Sequence, residues 1–356
     1  MGELGKRLAV FSTSVVLTLL VAEGALRLLV PTSFWNPPFS PVWEWLVYDP
    51  VRGWKNQPGY SSEFFRIDSM GLRGAERPRR KPAGVVRIVS LGDSGTFGMW
   101  RPEAAALRWD SYAEILQEIA TLQGYDGVEV VNAGVLGYGS SQGLRQLTLE
   151  LLDLDPDVVT LRFGFNDHST PLSPQHRLVE PESSMSRELF YAFSGSRLLQ
   201  LAIVALRRTD ALHPEPFTVP WTSPERFERD LERFAELAER EGFHLLFIDY
   251  PIRAAVRGES TGQPVAGQPR LGVESIEELH EIHQRYQRIV LRVASATQTP
   301  LLETSAACSA TGGDCFSDYD LVHPTQVGAE LIAGLLFERL SALGWLSPPS
   351  PTAASP

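Results

Sequence analysis

Five apolar runs recur through the middle of the chain, separated by stretches long enough to hold helices. VVRIVSL (85–91), VEVVNA (128–133), DVVTLRF (157–163), FHLLFIDYP (243–251) and PLLET (300–304) are nearly continuous in apolar, often β-branched residues, the mark of strands covered on both faces. Between and after them the apolar positions change to helical spacing, in 111–124, 141–154, 224–242, 274–296 and 324–344. Strands alternating with helices predict a three-layer α/β/α sandwich around a mainly parallel five-stranded sheet. In such sheets ligands bind beyond the carboxyl ends of the strands. Those ends are therefore where chemistry is sought.

The N-terminal pattern differs. MGELGKR carries two positive side chains, and LAVFSTSVVLTLLVA (8–22) carries no charge. The apolar stretch continues to Val30, interrupted by Glu23 and Arg27 at the i, i+4 spacing that lets them pair. About 20 helical residues cross a bilayer, so 1–30 is read as an N-terminal membrane anchor, preceding the sandwich as a transmembrane helix. Lys6 and Arg7 would keep the N-terminus cytoplasmic, leaving the rest periplasmic or at the cell surface. A cleaved signal peptide and a buried soluble helix are the alternatives; no A-x-A site follows the run. Residues 31–84 form a Trp/Pro-rich juxtamembrane lead-in, with Trp35, Trp43 and Trp45 suited to a membrane interface or to packing on the domain. Arg77, Arg79, Arg80 and Lys81 within it read as a solvated linker. The α/β domain is expected over 85–345, with insertions near 168–223 and 253–275, and 346–356 as a disordered tail.

Composition narrows the function classes. The 356 residues are 43% hydrophobic with a formal net charge of −11, which opposes nucleic-acid binding. The two cysteines, Cys308 and Cys315, bound the loop-like CSATGGDC; they suit a disulfide in an oxidising compartment, with two free thiols as the alternative. His280 and His283 make an H-x-x-H on a helix studded with Glu, Gln and Arg, and are therefore read as a solvated face; a metal is not expected there because no third ligand is evident. No phosphate-cradling Gly motif occurs, and neither a metal nor a cofactor is expected.

The strand ends are richer. The first ends in GDSGTFG (92–98), the second in NAGVLGYGS (132–140), the third in GFND (164–167), and DYDLVHPT (318–325) follows the fifth. Ser94 would open a helix, where unpaired N–H groups favour developing negative charge. A serine nucleophile needs a base, and the base an orienting acid: His323 and Asp320 supply both from one loop, with Pro324 starting the last helix. Gly137, with Gly134 as its rival, lets a backbone N–H approach a ligand, and Asn166 offers an amide to an oxyanion. Asp93 is read as a structural hydrogen bonder, and Asp167 and His168 as bordering the pocket.

These four blocks, in this order, resemble the SGNH (GDSL-like) hydrolase superfamily, and the lead-in WKNQPGY…DSMGLRG resembles its bacterial membrane-anchored members. The resemblance spans 85–340. It implies a flavodoxin-like SGNH fold, a Ser94–His323–Asp320 triad, and an oxyanion hole from Ser94, Gly137 and Asn166. It also implies an esterase acting on an acyl ester, acetyl foremost, of a small molecule or a glycan. An O-acyltransferase using the same residues is the nearest alternative, and a non-catalytic glycan-binding or assembly protein the alternative of another class. Gly95 departs from the family pattern, which usually has Leu or another larger residue there.

Overall fold

The apolar runs become the strands of one sheet. The computed structural model describes residues 2–35, 43–99, 110–169, 184–210, 222–258, 273, 275–318 and 320–346. Leu46–Asp49 (β1) and Gly53–Asn56 (β2) pair as a two-stranded sheet. Val86–Gly92 (β3), Val128–Asn132 (β4), Val158–Arg162 (β5), His244–Ile248 (β6) and Leu301–Leu302 (β7) form the second sheet, ordered β4-β3-β5-β6-β7 with every pairing parallel. All five residues of β5 are buried, as a central strand between two helical layers requires. The order reverses between β3 and β5, the switch point at which an open α/β sheet parts its loops and leaves a crevice.

Helices cover both faces. Ile88, Val130, Val158, Leu246 and Ile248 pack in one core with the helices Tyr112–Leu122 and Gln326–Ala342. The helices Ser140–Gln146, Pro224–Glu241 and Ile276–Ala296 form the opposite layer. Polar caps start them where the pattern predicts: Ser111, with Glu114, closes a capping box on the first, and Ser223 and Ser275 cap two others.

By its contacts the chain divides into two compact units, 1–55 with 173–215, and 56–172 with 216–356. In the first, the helix Glu3–Leu29 has no buried residue and a mean hydropathy of 1.8 over its most apolar window, the length and composition of a membrane span or a signal sequence. Arg27 pairs with Glu23 at 2.7 Å. Glu23 also accepts from the N–H groups of Arg197 and Leu198, so its carboxylate caps the helix Arg197–Asp210. Trp35 is buried, with the Arg197 guanidinium over its ring. This is the cost of charge in an apolar helix turned to structural use.

Three local expectations need correction. The basic cluster is no solvated linker: Arg77 meets the buried Asp68 at 3.3 Å and Lys81 meets Asp157 at 2.7 Å, both with largely buried side chains, while Arg79 pairs with Asp153 at the surface. Pro324 does not start the last helix, because Thr325 caps it and accepts from Gly328, while Pro324 bridges to Phe316. The helix expected over 141–154 widens to a π turn at Leu147–Leu151 and tightens at Leu152–Leu154 before Asp155. The expected insertions hold the helices Ser184–Phe193, Arg197–Asp210 and Arg253–Arg257. Most of the segment after Gly258 lies outside the described residues, as does the tail expected over 346–356 except its first residue: Leu346 is buried in one core with Leu336 and Leu340, so the ordered chain runs one residue further than expected.

Candidate active site

Strand β3 delivers Ser94 by running straight into a helical turn. Asp93 is the N-cap of Ser94–Phe97, its Oδ1 accepting from the Gly95 N–H at 2.8 Å, and Gly98 closes the turn at φ 89°. Ser94 sits at the head of that turn, 9% exposed.

The loop before the last helix brings His323 to Ser94. His323 Nε2 lies 2.7 Å from Ser94 Oγ, and His323 Nδ1 lies 2.7 Å from Asp320 Oδ2. With Nδ1–H donated to the carboxylate, Nε2 is left to accept from the serine hydroxyl. The other Asp320 oxygen accepts from the N–H groups of Val322 and His323 at 2.9 and 3.0 Å. Burial by itself would raise the Asp320 carboxyl, but the His323 side chain and these N–H groups outweigh it and hold the pKa at about 2. The acid is therefore ionised at neutral pH.

This loop is braced from several sides. Cys308 and Cys315 are joined as a disulfide, buried with Phe316. Arg257 donates to the carbonyls of Gly313 and Phe316 and pairs with Asp318 at 2.5 Å; Arg253 donates to the carbonyl of Asp318. Neither arginine was singled out from the sequence, since each finds its partners some 60 residues away.

Asn166 and Gly137 are tied to the Ser94 turn through Asp93 and Tyr138. Asn166 Nδ2 donates to Asp93 Oδ2 at 3.1 Å and to the Tyr138 carbonyl at 3.0 Å. That links the residues flanking Ser94 and Gly137 through one side chain. Among the described residues, the N–H groups of Ser94 and Gly137 donate to no protein acceptor. Gly134 differs: its N–H is spent on Asn132 Oδ1, and a Cβ there would lie 2.2 Å from the Phe97 nitrogen. Its absent side chain serves packing, whereas Gly137 has φ +75° and a free donor.

The remaining polar residues are structural. Asp167 is fully buried, accepting from the Ser140 N–H and hydroxyl at 2.9 and 2.7 Å, and burial raises its carboxyl to about 7. His283 is not on a solvated face: it is 3% exposed, contacts the Tyr250 carbonyl through Nε2 at 2.6 Å and His168 Nε2 through Nδ1 at 2.9 Å. His280 lies apart from it, against Gln284. The i, i+3 spacing of the pair concealed that one residue turns inward. Among the described residues, no group of three or more His, Cys, Asp or Glu is arranged to hold a metal ion.

Comparison with known proteins bears on the family to which the chain belongs. Solved structures similar to the chain include a lipase/acylhydrolase from Enterococcus faecalis, 20% identical, covering 75% of this chain and 100% of its own, with a TM-score of 0.47. An acetylxylan esterase from Geobacillus stearothermophilus is 14% identical, covering 74% of this chain and 96% of its own, with a TM-score of 0.44. Both likenesses are too distant to bear on substrate. None of the curated proteins compared with the chain matches it. The model of the GDSL-like Lipase/Acylhydrolase family matches residues 90–331. Extending over most of the chain, from within β3 into the last helix, that match makes the protein a member of the GDSL-like lipase/acylhydrolase family and an ester hydrolase.

Proposed function

We propose that the chain cleaves its ester through a Ser94–His323–Asp320 triad and a covalent acyl-enzyme. The observation carrying this reading is the pair of 2.7 Å contacts on opposite nitrogens of one imidazole, Ser94 Oγ on one side and Asp320 on the other. Ser94 Oγ attacks the carbonyl carbon while its proton passes to His323 Nε2. Asp320 holds the tautomer and stabilises the imidazolium. The developing oxyanion takes the N–H groups of Ser94 and Gly137, and the Asn166 amide when it shifts one of its two bonds. Collapse expels the alcohol, which leaves with the proton from Nε2. Water then attacks the acyl-enzyme, giving its proton to Nε2, and the free acid and the Ser94 hydroxyl are restored.

We take the acyl group to be acetyl and its carrier a glycan, the substrate class that the four-block resemblance implies. The helix Glu3–Leu29 would anchor the chain with its active site outside the cytoplasm. Lys6 and Arg7 at its start and the Cys308–Cys315 disulfide support that side of the membrane.

A fluorophosphonate probe tests the nucleophile. Wild type should label, Ser94→Ala should not, and His323→Ala should label far more slowly; equal labelling of all three overturns the triad. Acetate release from p-nitrophenyl acetate, compared with longer acyl esters, reads the acyl preference. Stimulation of deacylation by an added glycan acceptor, with acetyl appearing on the glycan, would mean transfer in place of hydrolysis.

A further inference from the structure

Beneath the nucleophile turn lies a cation that the triad does not use. Arg162, the last residue of β5, is fully buried, and its backbone pairs in register with Gly92, two residues before Ser94. Its guanidinium stacks on the Tyr250 ring, 3.9 Å from the centroid. Among the described residues, none of its three side-chain nitrogens has a hydrogen-bond partner. A buried cation without hydrogen bonds is costly unless a nearby charge compensates it.

The compensation gathers around the side chain that Gly95 lacks. A Cβ built on Gly95 would lie 2.3 Å from Arg162 Nη1, 3.0 Å from the Tyr250 hydroxyl and 3.3 Å from Asp93 Oδ1. Those three groups surround one point, and any residue but glycine would push into the guanidinium. Tyr250 donates to Asp93 Oδ1 at 3.1 Å, the oxygen that also holds the Gly95 N–H, while Asp93 Oδ2 holds Asn166. Asp93 is thus an acceptor for three donors, a task that suits a carboxylate and not a carboxylic acid. Burial pushes its pKa up, and Arg162 is foremost among the groups opposing that rise.

We propose that Arg162 is a positioning residue, a buried cation that fills the space opened by Gly95 and, through the Asp93 carboxylate, holds the Ser94 turn and the Asn166 amide in register. This rests on the triad reading and adds to it a residue that touches no substrate. It also accounts for the departure at position 95: the glycine and the arginine are one device. The titratable groups facing Asp93 are Arg162 from β5, Tyr250 after β6, His323 from the loop before the last helix and Tyr112 from the helix after the nucleophile turn.

The test is a double-mutant cycle on the full chain, read by ester hydrolysis across pH. Arg162→Met should lower kcat roughly 10–100-fold with KM within about twofold, the scale of a misplaced catalytic group. The acid limb of kcat/KM should move to higher pH, because burial then raises the Asp93 pKa without the guanidinium to oppose it. Arg162→Lys, which keeps the charge, should restore the wild-type limb. Gly95→Ala should be harmful with arginine at 162 and nearly neutral beside Arg162→Met, because the atom it strikes is gone. Should Arg162→Met fail to fold, Arg162→Lys carries the cycle alone, since it too removes Nη1 and should tolerate Gly95→Ala. Additive losses, or a pH profile unmoved by Arg162→Met, overturn the proposal. Fluorophosphonate labelling of Ser94 in the same samples separates this outcome from failure of the triad itself.

Discussion

Two histidines in this protein place the same side chain in opposite surroundings. His323 has a carboxylate on one nitrogen and a hydroxyl on the other, and it remains 17% exposed. His283 has a carbonyl on one nitrogen and a second imidazole on the other; its ring meets Phe165 and Tyr250, and that of its partner His168 meets Tyr286. The Tyr250 carbonyl can only accept, so His283 Nε2 carries the proton and His283 Nδ1 accepts from His168 Nε2. Among the described residues, neither imidazole of this pair hydrogen-bonds a carboxylate. Burial lowers the His283 pKa to about 4 and the His168 pKa well below the usual value. An imidazole becomes a base when the proton on its far nitrogen meets a negative charge; with a neutral acceptor in a dry core it is held neutral.

The comparison breaks most sharply at Ser94, the proposed nucleophile. Ser94→Ala should cost about 10⁶-fold in kcat, the loss typical of an essential triad member, measured as acetate release from p-nitrophenyl acetate. Removing only the negative charge is the cleaner probe of the contrast. Asp320→Asn should give His323 a neutral neighbour like that of His283 and lower kcat about 10⁴-fold. Activity within tenfold of wild type in that variant would sink the account of why the two sites differ.

On the buried side the readout is stability. His283→Gln retains a donor and an acceptor but does not titrate. A base whose folded pKa is depressed leaves the unfolded chain to gain protons first as pH falls. Wild-type stability relative to His283→Gln should therefore decline between pH 6.5 and about 4, by up to about 1.4 kcal/mol per unit, with no change above pH 7. Urea unfolding at several pH values measures it. Asp320 acts in a lower window: its folded pKa of about 2 is depressed, so its contribution is complete above pH 4 and is lost as pH falls toward 2. The smallest effect concerns the His323 loop alone. Replacing Cys308 and Cys315 with serine should lower stability by about 2–3 kcal/mol, the loop-closure value for so short a ring, again read by urea.

The strands were legible because each apolar run is a local statement about burial on two faces: β4 through β7 fall within the runs that predicted them, and β3 outruns its own by one residue, to Gly92. The residues brought to their ends were legible as candidates for the same reason: turn and cap chemistry is written within a few positions. What escaped were residues defined by distant partners. Arg77 and Lys81 read as solvent-facing until Asp68 and Asp157 arrived beside them. His283 read as surface because its neighbours in sequence are charged, although the inward face of its helix is not. Pro324 looked like a helix start until Thr325 proved to hold the capping oxygen.

Local pattern by itself determined the class of fold, the strand ends at which the chemistry-bearing residues emerge, and the family. Periodicity and turn residues act over a few bonds, so one dimension suffices to record them. Tertiary structure alone decided which imidazole meets an anion, why position 95 is glycine, and which arginines brace the active loop. Those outcomes depend on distances between segments tens to hundreds of residues apart, and only the folded sheet brings such segments within reach of one another.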